Sequence, residues 1–192
     1  MQTRTQKVCK VCSEEFEAWS THQRINRFCG PVCAAKWGEY QRDKKRAAAF
    51  RAETRRKREA LKTTGDYVKE AQKAFNQFIR ARDYAKPCIS CGAISAGRFG
   101  GGVDCGHYRS TGAAPHLRFN TFNAAAQCKR CNRDLSGNAV EMRKGMVLRF
   151  GLDRVVSIEH DDTPKQYSKE QLQRIARIFR NRARIYSKIS GL

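Results

Sequence analysis

Apolar side chains recur at helical spacing in three stretches of the chain, while a fourth stretch is rich in helix formers yet has no apolar stripe. Between residues 67 and 84, Val68, Ala71, Phe75, Phe78, Ile79 and Tyr84 follow the 3.6-residue period. They predict a helix that uses its aromatics as core rather than as a base-stacking platform and stops before Pro87. Thr63-Thr64-Gly65 precedes it, with Thr64 or Asp66 as the cap. Ala139 to Phe150 reads as a second helix with Val140, Val147 and Leu148 inward, ended by Gly151. Val155, Val156 and Ile158, within residues 152–163, fit a strand or a turn-rich link. Ser168 to Gln171 has the form of a capping box, and Leu172, Ile175, Ile178, Phe179 and Ile185 then make a stripe reaching Tyr186. Residues 34–62 differ. From Lys36 to Lys62 eleven Lys or Arg stand against four acidic residues, with Phe50 and Leu61 the main apolar side chains. Such a helix is a solvated spacer between modules, a basic arm along a phosphate backbone, or both.

Composition limits the size of any core. Leu, Ile, Val and Phe number thirty-five of 192 residues, below the roughly one fifth at which a charged chain stops folding by burial alone. Small modules of this kind need another source of stability, such as metal. The net charge of +21 and pI near 10.1 call for a polyanionic partner. No apolar run approaches the roughly 20 residues that cross a bilayer, and MQTRTQKVCKVC lacks the apolar core of an export signal. The expected setting is therefore intracellular, where nine cysteines read as metal ligands before disulfides.

The cysteines form two sets. Cys9-x2-Cys12 and Cys29-x3-Cys33, sixteen residues apart, match a closed four-thiolate zinc site that leaves no open position for catalysis. Phe16, Trp19 and Phe28 would give it a miniature core, and His22 reads as a surface or packing residue. Cys88-x2-Cys91 and Cys128-x2-Cys131, thirty-six residues apart, make a second set, and Cys105 is left as a small buried thiol. Between these two pairs lie Gly97, Gly100, Gly101 and Gly102 as a turn, then Asp104 and His107 in a plausible hairpin. His116 follows in a loop suited to a phosphate contact, then Asn123. Asn132 directly follows the last cysteine, where a helix is expected to begin, and Asn138 reads as a cap.

That order resembles the HNH, or ββα-metal, nucleases in their zinc-stapled form. The resemblance implies that His107 is the general base for water, that Asn132 and Asp104 hold a catalytic Mg²⁺ or Mn²⁺, and that Asn123 orients the histidine. A neutral imidazole can accept a proton near neutral pH, and carboxylate and carboxamide oxygens suit Mg²⁺. One departure stands out: the acidic ligand of such sites directly precedes the base, whereas here Gly106 does and Asp104 lies three residues before His107. The strings DCGHYRSTGAAPHLRFN and AQCKRCNRDLSGN further resemble the NinG, or Rap, proteins of lambdoid phages. Membership would imply a recombination endonuclease acting on branched DNA, Holliday junctions and displacement loops included.

The expected fold is α+β: small zinc-stabilised modules, with a treble-clef or ββα-metal core, and long basic helices. The expected domains are an N-terminal four-cysteine finger at 1–38, a basic arm and packing helix at 39–85, the HNH-like core at 86–151, and a linker with a basic C-terminal helix at 152–192. Two structural zinc ions, branched double-stranded DNA as partner and no membrane complete the picture. A homodimer would suit symmetric resolution of a junction, and the host bacterial cytoplasm is the expected location. The alternative is a non-catalytic zinc-finger protein that binds nucleic acid.

Overall fold

The computed structural model describes residues 4–19, 27–94 and 102–191. The His22 loop, the glycines at 97, 100 and 101, and the Trp19 side chain lie outside the described residues. The chain divides into two units, residues 1–61 and 62–192.

In the first unit β1 (Arg4–Val8) and β2 (Glu15–Trp19) form an antiparallel hairpin, paired from Arg4 with Trp19 to Val8 with Glu15. Cys9 and Cys12 sit in its turn, which is tightened by the Cys9 amide donating to the Glu14 carbonyl at 2.8 Å and the Ser13 amide to the Cys9 carbonyl at 3.0 Å. Helix α1 (Pro31–Ala60) opens with proline at its first position, where the missing N–H costs nothing. It begins earlier than the charge pattern predicts, so Cys33 falls in its first turn. Phe28 packs against Trp37 of α1, with ring centroids 5.9 Å apart. No side chain of α1 is buried, and at 1.5 Å per residue the helix runs for about 45 Å.

The second unit is built on two helices. Thr63, one residue ahead of the predicted cap, starts α2 (Thr64–Arg82). Its hydroxyl accepts the Asp66 amide at 3.3 Å, while the Asp66 carboxylate accepts the Thr63 amide at 2.9 Å. Ser168 and Gln171 make the predicted capping box of α5 (Lys169–Ile189). The two helices bury Tyr67, Ala71, Ala74, Phe75, Phe78 and Ile79 against Leu172, Ala176, Phe179 and Ala183. Phe75 meets Phe179 edge-on at 4.9 Å. Ile178 and Ile185 stay at the rim, 37% and 53% exposed, while Ala176 and Ala183 are buried.

An antiparallel ribbon of β3 (Val103–His107) and β4 (Ala124–Cys128) lies between two cores. Strand alternation sends Ala124 into the α2–α5 core and Ala125 into a second core of Ile89, Met142, Met146 and Val155. Ala124, Ala125 and Ala126 are all buried, and their small size lets both cores approach the ribbon closely. The loop between the strands carries one 3₁₀ turn, Pro115–Leu117.

Three local expectations change. Residues 152–159 are helix, not strand: α3 (Ala139–Phe150) and α4 (Leu152–Glu159) meet at Gly151, whose φ of 87° makes the corner. Val155 and Ile158, one turn apart, both face inward, and burial overrides the strand preference of β-branched residues. In α3 the buried residues are Met142 and Met146; of the three expected inward, Val147 packs against their core, while Val140 and Leu148 are 69% and 88% exposed. Gly145 fixes that rotation, since a Cβ there would overlap the Ile89 carbonyl oxygen. Finally, Asn132 lies in a five-residue π-helical turn, Arg130–Asp134, and α3 starts only after Asn138.

A buried carboxylate joins these parts. Asp83, 1% exposed, accepts from Arg82 at 2.9 and 2.7 Å, Lys86 and Arg149 at 3.3 Å each, and the Ala126 amide at 3.0 Å. Burial pushes its carboxyl pKa up, yet the arginines and the amide outweigh burial and hold it below the usual value. Arg109 donates to the carbonyls of Ile158, Glu159 and Asp161, closing the C-terminus of α4.

Gly145→Ala should destabilise the protein by about 2–3 kcal/mol, because the methyl meets backbone and not a yielding side chain. Urea unfolding of the variant beside the wild type checks this.

Candidate metal centres and the hairpin histidine

Both cysteine sets converge in space. The Sγ atoms of Cys9, Cys12, Cys29 and Cys33 lie within 4.8 Å of one another, as do those of Cys88, Cys91, Cys128 and Cys131. A tetrahedral zinc with bonds of about 2.3 Å requires sulfurs about 3.8 Å apart. Cys12 to Cys29 and Cys29 to Cys33 measure 3.5 Å, and Cys91 to Cys128 measures 3.8 Å. Backbone amides support the thiolates: Cys128 N–H donates to Cys88 Sγ at 3.3 Å and Cys131 N–H to Cys128 Sγ at 3.4 Å. The Cys12 amide leads the effects that bring the Cys9 thiol down to about 6. Burial acts against ionisation of Cys88, but amides of Cys128, Cys91 and Ser90 bring it to about 7. Burial pushes Cys131 up to about 12, and a bound cation would deprotonate such a thiol outright. Each set could thus hold a zinc-like ion.

The second set is a clamp on the ribbon. Cys128 ends β4, the Ile89 amide donates to the Ala126 carbonyl at 3.1 Å, and Cys131 lies in the turn that carries Asn132. Asp104 and Asn132 consequently meet: Asn132 Nδ2 donates to Asp104 Oδ2 at 3.3 Å. Arg133 also grips that carboxylate, through Nε at 2.6 Å and Nη2 at 3.1 Å. The Arg133 hydrogen bond leads the effects that hold the Asp104 carboxyl below its usual value.

His107 points to the opposite face, as an offset of three along a strand requires. Its ring stacks on Phe75 at 5.6 Å between centroids, and Nε2 lies 3.0 Å from the Arg118 carbonyl oxygen. A carbonyl only accepts, so Nε2 carries the proton and Nδ1 keeps its lone pair. Burial comes first among the effects that lower the imidazole pKa below 6.5. The ring is thus neutral, with one tautomer selected.

Asn123 is fully buried, and its hydrogen bonds go to backbone, not to His107. Oδ1 accepts the Arg109 amide at 2.9 Å, and Nδ2 donates to the carbonyls of Arg109 at 2.9 Å and Leu117 at 3.3 Å. It thereby ties the end of β3 to the residue before Arg118, whose carbonyl fixes the imidazole. His116 bonds the Asp161 carbonyl, and Asn138, at φ 44°, donates to Cys131 Sγ at 3.6 Å without capping α3. Cys105 packs toward the α2–α5 core, where burial raises its thiol to about 12 and leaves no thiolate.

Sequence reasoning missed Gln127. Its Nε2 donates to Ser90 Oγ at 2.7 Å and to the Gly137 carbonyl at 2.6 Å, while Oε1 is buried without a hydrogen-bond partner. That oxygen occupies the space a Cβ at Gly106 would need. A side chain directly before His107 would therefore have to displace the Gln127 amide from its two hydrogen bonds. Asp104, two residues earlier on the same face, keeps the orientation such a residue would have had. Neither Gln127 nor the Arg118 carbonyl carries a sequence signal, since both act only through tertiary contact.

The family model described as Bacteriophage Lambda NinG protein matches residues 1–188. The chain belongs to the NinG family. Protein ninG of Salmonella phage P22 is 35% identical over 182 residues, covering 87% of each chain. Protein ninG of Escherichia phage lambda is likewise 35% identical, over 87% of this chain and 86% of its own. That of Escherichia phage 933W is 34% identical over 181 residues. No solved structure matches this NinG chain. Among its described residues no helix is long and apolar enough to cross a membrane.

Metal analysis of the purified protein should return two zinc ions per chain, and Cys131→Ser should return one. Stripping zinc with a chelator should abolish cooperative unfolding of the second unit, since structural zinc contributes about 10–16 kcal/mol. His107 supplies a pH signature. Its folded pKa lies below 6.5, so the unfolded chain takes up the proton first. Its contribution to stability is complete above pH 6.5 and is lost as pH falls through the window below it. Urea unfolding between pH 7 and pH 5 should show this decline, and His107→Asn should flatten it.

Proposed function

We propose that this protein is an endonuclease that hydrolyses phosphodiesters in branched DNA, Holliday junctions and displacement loops among them, on a zinc-stapled ββα-metal core. The observation that carries the reading is His107: neutral, ring-stacked on Phe75, and held in one tautomer by the Arg118 carbonyl so that Nδ1 is a ready proton acceptor. Water attacking a phosphate must lose a proton, and a positioned base contributes about 10²–10⁴-fold to such a step. Nδ1 accepts that proton. Phe75 sets the plane of the ring, and Asn123 secures both backbone segments from which the ring hangs.

Asp104 and Asn132 are the residues that would hold Mg²⁺ or Mn²⁺. When bound, the ion supplies charge neutralisation on the phosphoryl oxygens. The donor types fit, as a carboxylate and a carboxamide 3.3 Å apart. Arg133 must first release the carboxylate and the Asn132 amide must turn its oxygen inward. The zinc ions take no part in chemistry; the second fixes β4 and the Asn132 turn against each other. The net charge of +21 supports a salt-sensitive grip on phosphates that is independent of sequence. Symmetric resolution of a junction would employ two copies of the chain, and the setting would be the host cytoplasm.

The same Arg133 contact favours a second reading, a non-catalytic zinc protein that binds nucleic acid, in which Asp104 serves structure alone. Cleavage decides between them. With Mg²⁺ or Mn²⁺ the wild type should cut a four-way junction, and His107→Ala combined with Asn132→Ala should lower the rate at least 10²-fold while binding persists. A wild type that binds the junction and never cuts it establishes the second reading. On the acid side, the cutting rate should fall only below pH 6.5, tracking the depressed His107 pKa.

A further inference from the structure

We propose that a groove along α2 seats the run of DNA backbone phosphates flanking the cut, and that Arg118 links this seat to His107. The inference rests on the nuclease reading for the position of the cut, but the groove stands on its own geometry. Lys69, Lys73, Asn76 and Arg80 recur at steps of four, three and four residues, which places them in one stripe of the helix. The stripe extends about 16 Å along the axis, the length of several phosphates. With Gln72 and Arg118 these residues line an open cavity of about 390 Å³.

Three features make the groove an anion seat and not merely a solvated basic face. No acidic side chain lines it among the described residues. The acids of α2 in this region are engaged elsewhere, Asp66 by Thr63 at 2.7 Å and Glu70 by Lys62 at 2.6 Å. None of Lys69, Lys73, Arg80 and Arg118 forms an ion pair among the described residues, although ion pairs recur elsewhere in the second unit. Amides alternate with the cations: Gln72 Nε2 donates to Asn76 Oδ1 at 2.6 Å, so the Asn76 amide hydrogens remain for phosphate oxygens.

Arg118 connects the groove to the base. Its Nη1 donates to Gln72 Oε1 at 3.3 Å and Nη2 to the Thr111 carbonyl at 3.1 Å, fixing the guanidinium at the groove's end. Its own carbonyl accepts the His107 proton at 3.0 Å. A phosphate drawn to this guanidinium would thus rest on the residue whose carbonyl holds the imidazole.

The test uses a four-way DNA junction without divalent metal, so that binding is read apart from cutting. Lys69→Gln, Lys73→Gln and Arg80→Gln are combined in one variant; these side chains lie at the surface, and circular dichroism confirms folding. Removing three phosphate contacts should flatten the slope of log affinity against log salt by about 2–3. Single methylphosphonates, which delete one backbone charge, are then scanned through the junction arms. At phosphates beside the cut they should weaken wild-type binding about tenfold, close to 1.4 kcal/mol, and leave the variant unchanged. Equal losses in both proteins at every scanned position would overturn the proposal, as would an equal flattening from Arg55→Gln, Arg56→Gln and Arg58→Gln on α1. Tighter binding of double-stranded RNA through the same residues would also overturn it. If the wild type fails to cut but the methylphosphonate pattern holds, the groove stands and the nuclease reading falls.

Discussion

Everything around the ribbon depends on one buried carboxylate. Asp83 lies where α2 ends, and its two oxygens take in cations from α2, the following segment and α3 together with a backbone amide of β4. Desolvating a carboxylate costs several kcal/mol unless its partners are well placed, and removing one partner from such a set typically costs 3–5 kcal/mol. The clustering therefore fixes the positions of the helix terminus, the strand and α3 together. A chain with only thirty-five Leu, Ile, Val and Phe residues cannot obtain this positioning from apolar burial alone. Its cores are small, aromatic on one side of the ribbon and methionine-lined on the other, and polar anchors set their relation.

The sequence discloses those features whose causes are local. Capping at Ser168, the amphipathic run from Val68 to Ile79, the break near Gly65 and both cysteine sets follow from neighbouring residues, and the structure contains all of them. It conceals what depends on approach between distant segments. The rotation of α3 follows from Gly145 meeting the Ile89 carbonyl, and Val155 is buried with Met142 and Met146 from a different helix. Large side chains draw the eye in a periodicity reading, yet Ala124 and Ala176, which carry little signal, are as deeply buried as the aromatics.

The same division applies to the site. Asp104, Asn132 and His107 can be named from motif order, and the ribbon and turn do bring Asp104 to Asn132. The Arg118 carbonyl and the Gln127 amide cannot be read from the chain. One selects the imidazole tautomer; the other fills the space above Gly106. Two residues of displacement along a strand preserve the face on which the carboxylate is presented.

Helix α1 buries none of its side chains, yet its first turn contains Cys33, one of four sulfurs gathered at a single point. In an isolated helix the first turn is the improbable event, with a nucleation constant of about 10⁻³. A bound ion would supply that turn ready-made, leaving only the cheaper extension of the helix. Along the rest of α1, which buries no side chain, helicity rests on the propensity of its Ala, Arg, Lys and Glu and on the screening of its own positive charges. Anions gathered along the arm would screen those charges and so favour the helix over the coil.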